Sequence, residues 1–159
     1  MRKTFLFVGT AAALAAAAYA AQQDPVLAYS DAVQDIVARY NAKLVEVQPL
    51  LGWPGDNLDK DARDKIAWKL EVAIEDLSRI TADFNKLNVP QGFIEAHKLI
   101  GGAFDLYATA LSRCGTGIQL GYVKTFNGGV QDYNNAGNYL QSGMDELSDA
   151  LARAGYQVN

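Results

Sequence analysis

An all-α fold is what this 159-residue sequence predicts: an antiparallel up-down-up-down four-helix bundle after a cleaved signal peptide. Three observations point there. Four segments carry apolar residues at spacings of three and four, the period of a helix with one buried face, and none reads as a strand. Stretches rich in Pro and Gly separate the segments. In the last two segments, small residues recur every seven positions, which suits two helices packed closely side by side.

The chain opens "MRKTFLFVGTAAALAAAAYAAQ". Arg2 and Lys3 make a positive start, Phe5 to Ala18 is an uncharged, mostly apolar run of 14 residues, and Ala18-Tyr19-Ala20 places small residues at a cleavage point. That pattern is a secretory signal peptide over residues 1–20. The run is short for a membrane span, which needs roughly 20 residues. No cysteine follows it, so no bacterial lipid anchor is expected there. Residues 21–159 then form a single domain.

The first helix is expected over about 25–48. Asp24 suits the N-cap and Pro25 the first helical position. Its stripe is Val26, Tyr29, Val33, Ile36, Tyr40, Leu44 and Val47, and Pro49 stops it. "PLLGWPGDNLD" follows as a loop whose prolines and glycines exclude regular structure, and whose Leu50, Leu51 and Trp53 fold over one end of the core.

The second helix is expected over about 59–87. Asp59, Asp61 and Asp64 crowd its first turns, where the positive end of the helix dipole favours acids. Its stripe runs Ala62, Ile66, Leu70, Ala73, Leu77, Ile80, Phe84, Leu87, and "NVPQG" breaks it. The third, about 90–119, has Pro90 in its first turn and the stripe Phe93, His97, Ile100, Phe104, Tyr107, Leu111, Cys114, Ile118. The fourth, about 122–154, has Val123, Phe126, Val130, Tyr133, Gly137, Leu140, Met144, Leu147 and Leu151, with Gly155 as its C-cap. The turn between them falls at Gly121, with Gly128-Gly129 the alternative; the fourth stripe runs unbroken back to Val123 and favours Gly121.

The glycines between Cys114 and Met144 invite a phosphate-binding reading, and the motifs refuse it. A dinucleotide loop must follow a strand, and Gly115, Gly117 and Gly121 follow a helical stripe. A Walker loop needs its second glycine directly before Lys-Ser/Thr, whereas Tyr122 and Val123 separate Gly121 from Lys124-Thr125. Helical register gives a better account. Gly129, Ala136, Gly143 and Ala150 recur at seven, as do Ala96, Ala103, Ala110 and Gly117. Two strips of small side chains are expected to meet face to face in a tight hairpin of the third and fourth helices.

Little chemistry remains. Removing residues 1–20 leaves 12 basic against 18 acidic residues, a net charge of −6, which argues against nucleic acid or an anionic membrane surface as partner. Cys114 is the sole cysteine, so no internal disulfide exists; it lies on an apolar stripe and is expected to be buried. His97 is the sole histidine. A bundle di-iron site needs Glu-x-x-His on paired helices, but Ile94 occupies the Glu position and there is no second histidine. His97 and Cys114 are roughly 25 Å apart along one helix at 1.5 Å per residue. His97 is therefore expected to be partly buried and hydrogen-bonded to a helix end or a carboxylate. Asp35–Arg39, Glu75–Arg79 and Asp149–Arg153 have the spacing of exposed ion pairs. The tyrosines mostly fall on stripes and are expected to pack.

"VPQGFIEAHKLI", followed by a long helix, a Gly turn and a small-residue helix, resembles exported bacterial helical-bundle proteins of unknown function. Pro90, His97 and Gly121 carry the resemblance, which covers about Val89 to Ala154. It implies a helical hairpin and export, and no activity. Many such proteins are lipoproteins; the lipid-anchor cysteine is missing here, so membrane tethering does not carry over.

The expected function is that of a non-catalytic interaction or scaffold protein of the periplasm or extracellular space. Its expected partner is another envelope or extracellular protein, with no nucleic acid, no membrane anchor after cleavage, and no catalytic, cofactor-binding or metal-binding residue set. The alternative is a bundle that binds a small ligand between its helices. A pocket lined by several aromatics and one polar group would favour the ligand; a filled core with an exposed apolar surface would favour a protein partner.

Overall fold

The computed structural model describes residues 24–55 and 57–157. The expected signal peptide lies outside the described residues. Among the described residues four α-helices follow one another: α1 (Pro25–Val47), α2 (Lys60–Phe84), α3 (Ile94–Leu120) and α4 (Val123–Arg153). The described residues contain no strand. Successive helices pack together, as an all-α bundle requires, and α3 and α4 are the most closely joined pair.

Caps set most of the boundaries. The Asp24 carboxylate accepts from the Val26 amide at 2.9 Å, and Pro25 gives up no needed donor at the first helical position. Asp59 accepts from the Ala62 amide at 2.8 Å and opens α2. Gly121 closes α3 with φ +71°, a backbone conformation that favours glycine. Here the Tyr122 amide bonds back to the Gly117 carbonyl at 2.7 Å. A Cβ on Gly121 would also stand 2.5 Å from Arg63 Nη1, so the tip of that flexible side chain would have to move; the positive φ is the stronger demand for glycine. The turn thus falls where the unbroken fourth stripe put it.

Several boundaries differ from expectation. Gln48–Leu51 forms a 3₁₀ turn rather than loop, with Pro49 in its first turn, where no amide donor is needed. Helix α2 stops at Phe84, three residues early, because the Lys86 and Leu87 amides turn back to Asp83 and Phe84. Pro90 does not enter α3. It precedes a 3₁₀ turn, Gln91–Phe93, and the α-helix begins at Ile94.

The stripes form the core, with Val33, Tyr40, Leu70, Leu77, Phe84, Phe104, Leu111 and Ile118 essentially sealed from solvent. Rings link the helices. Tyr40 of α1 stacks on Phe104 of α3 at 3.9 Å between centroids, and its hydroxyl donates to the Phe104 carbonyl at 3.0 Å. Phe84 of α2 meets Phe104 edge-on at 5.2 Å, and Tyr107 meets Tyr133 of α4 at 4.9 Å.

All eight small residues of the two heptad strips are buried. The strips meet at Gly129, where a Cβ would lie 2.8 Å from the Ala110 carbonyl oxygen, but larger residues also stand against the glycines. A Cβ on Gly143 would lie 2.7 Å from Ile100 Cγ1, and one on Gly129 2.6 Å from Cys114 Sγ. One on Gly117 would lie 2.5 Å from the Phe126 nitrogen. At each glycine the backbone of the opposite helix is within reach, at the Phe126 nitrogen for Gly117, the Ala110 oxygen and Cys114 nitrogen for Gly129 and the Ile100 nitrogen for Gly143, so the missing side chains let the two helices pack closely.

Candidate functional site

His97 sits half-buried where α1, α2 and α3 converge. Its ring lies parallel to Phe84 at 4.1 Å, and Nδ1 is 3.1 Å from the Tyr29 hydroxyl. The partner is therefore a phenol on α1, and not the helix end or carboxylate expected from sequence. In the tautomer that carries its proton on Nε2, the neutral ring accepts the phenolic hydrogen at Nδ1; in the other, Nδ1–H donates to the phenol oxygen. Burial alone holds the imidazole below its ordinary value, and burial pushes Tyr29 up to about 12. The site therefore pairs a neutral imidazole with a neutral phenol between aromatic faces. Phe93 closes it edge-on against Tyr29 at 5.6 Å. No nucleophile joins it among the contacts of the described residues.

Cys114 is fully buried on α3. Its thiol contacts the Phe126 carbonyl at 3.7 Å, and burial pushes it up to about 11. A thiol so held is protonated and shielded, the opposite of a reactive cysteine. Its burial agrees with its place on the stripe.

The acidic residues mostly pair at the surface. Asp35 meets Arg39 at 3.2 Å and Glu75 meets Arg79 at 3.9 Å, as their spacing suggested. Arg153 departs from it: it reaches Glu146 at 2.5 Å, two turns back, instead of Asp149. Among the described residues no group of three or more His, Cys, Asp or Glu could hold a metal ion. No helix among them is long and apolar enough to cross a membrane.

The surface carries a feature that the stripes did not identify. Helices α1 and α2 leave a groove of about 270 Å³, floored by Val47, Leu50, Val72 and Ala73. Lys43, Glu46, Lys69 and Asp76 form its rim, with Lys43 bridging to Asp76 at 3.1 Å. Trp68, one turn before Val72 on α2, is 62% exposed, and Val72 is 38% exposed. Trp68 falls off the second stripe, between Ile66 and Leu70. A large ring on the polar side of an amphipathic helix was the available signal. A second apolar spot, Leu120, Tyr122 and Val123, stands exposed around the α3–α4 turn.

Comparison with protein-family models, with curated proteins and with solved structures finds no match for this chain.

Proposed function

We propose that this chain is a non-catalytic, exported interaction protein of the cell envelope or extracellular space, and that the α1–α2 face receives another protein. The observation that carries the reading is Trp68, largely exposed on α2 one turn before Val72, which lines the apolar-floored groove. Tryptophan anchors dominate protein interfaces because one ring buries a large area at little entropic cost. The charged rim suits a polar interface border. Export rests on the pattern of residues 1–20.

The interior supports a protein partner over a small ligand. The aromatic side chains of the bundle pack on one another. The α1–α2 groove has no aromatic lining, and neither has the open cleft of about 520 Å³ that adjoins it along Arg39, Ala42, Asp76 and Ile80.

The test is retention from the cell's own envelope fraction by immobilised protein, wild type beside Trp68→Ser/Val72→Ser. The expected result is one protein held by the wild type and lost with the double variant, whose melting temperature should be unchanged. A small molecule bound in stoichiometric amount, or equal retention by both forms, would reverse the reading.

A further inference from the structure

Two hydrogen bonds fasten the amino-terminal half of α1, and each contains a titratable group. At its first turn, Asp24 accepts from the Tyr156 hydroxyl of the carboxy-terminal tail. One turn on, Tyr29 meets His97 at 3.1 Å. The carboxy-terminal half of α1 is held differently, by Tyr40 on the Phe104 carbonyl and by Lys43 on Asp76.

We propose that the His97–Tyr29 contact is an acid-sensitive latch, whose protonation in mildly acidic medium loosens the amino-terminal half of α1 while the α3–α4 hairpin stays packed. The latch takes the tautomer with its proton on Nε2, in which Nδ1 accepts the phenolic hydrogen. A proton added at Nδ1 turns the acceptor into a donor, so the Tyr29 hydrogen must swing away and the contact must reverse. The new charge also lies in a half-buried position without a carboxylate to receive it. From α1 the titratable neighbour is Tyr29, which stays neutral. From α2 the ring meets the untitratable Phe84 face, and Asp83, next to Phe84 in the chain, is engaged by Arg39 and Lys86. On α3, Glu95 lies 4.0 Å from Lys98. No α4 side chain has a described contact with the ring, and no neighbouring charge contributes to the shift. The π face of Phe84 offsets part of the cost of the charge.

The sign follows from linkage. The folded imidazole lies below its ordinary 6.5, so full stability is present above that value. It is lost as pH falls through the folded midpoint. Asp24 is held below its ordinary 3.8 by Tyr156 and the Val26 amide, so its own contribution disappears only in stronger acid. At about pH 5 the histidine therefore acts first.

Hydrogen exchange corrected for intrinsic rate, at about pH 7.5 and about pH 5, tests the latch in the wild type and in His97→Gln, whose amide accepts from Tyr29 but does not titrate. The wild type should lose protection in residues 25–36 at the lower pH, with residues 100–118 and 129–147 unchanged. His97→Gln should keep its protection at both. The loss should not exceed about tenfold for each pH unit between the folded and unfolded histidine midpoints. Unchanged protection of α1, loss spread equally over the hairpin, or the same loss in His97→Gln would overturn the proposal. An NMR titration of His97 in the wild type decides it without any variant: a midpoint below 6.5 is expected, and one at or above it would overturn the latch.

Discussion

Gly143→Leu is expected to lower the stability of the bundle by about 1–2 kcal/mol net, because overpacking at the upper end of its usual range of about 1–3 kcal/mol outweighs the gain in helix propensity. Helix propensity alone would favour leucine by roughly 0.8–1 kcal/mol. Packing opposes it more strongly. Even the first added carbon would stand 2.7 Å from Ile100 Cγ1, 2.9 Å from the Ile100 nitrogen and 3.2 Å from Leu99 Cβ. A side-chain tip can swing away, but a backbone nitrogen moves only if α3 moves. For the same reason Gly143→Ala should also destabilise, though less than leucine; counting one added methyl would have made it nearly harmless. Asn134→Leu, exposed on the same helix, should stay within about 0.5 kcal/mol of wild type. Equilibrium unfolding in urea measures all three.

Phe84→Ala should cost about 3–5 kcal/mol, the range for emptying a buried aromatic site. Phe84 is fully buried at the last turn of α2, stacked on His97 and edge-on to Phe104. Its loss leaves a cavity between α2 and α3, which their helical backbones cannot close. Because the two rings touch, Phe84→Ala and His97→Ala should not add: the double variant should cost less than the sum of the two. Denaturant unfolding of the cycle checks this, and strict additivity would mean that the stack contributes nothing.

The helices, their order and the Gly121 turn were legible because each rests on a local rule. Stripes at three and four dictate burial, Asp24 and Asp59 are N-caps, and glycine alone tolerates the left-handed backbone of Gly121 with Arg63 against it. Helix ends were less legible. Pro90 fits a first helical turn as well as the residue before a 3₁₀ turn, and the choice depends on how Phe93 reaches the core. Contacts between helices were least legible of all. Spacing fixes which face a residue occupies, not how far one helix slides along the next. The heptad strips were therefore found, but not each glycine's partners: Gly143 meets Ile100, Gly117 meets Phe126, and Gly129 meets Cys114 as well as Ala110 of the opposite strip. In the same way, the His97 stripe position announced burial and did not name Tyr29 or Phe84. Trp68 escaped because a search for buried faces passes over a large ring on the polar side.

The close-packed α3–α4 hairpin is expected to be the most stable part of the molecule, with its glycines serving contact and not a loop or a ligand. Native-state hydrogen exchange of the wild-type protein at neutral pH measures that hierarchy directly. The slowest amides should lie in α3 from Ile100 to Ile118 and in α4 from Gly129 to Leu147, exchanging only with global unfolding, while α1 opens at lower free energy. Fast exchange across Gly115 to Gly143, or protection of α1 equal to that of the hairpin, would contradict it.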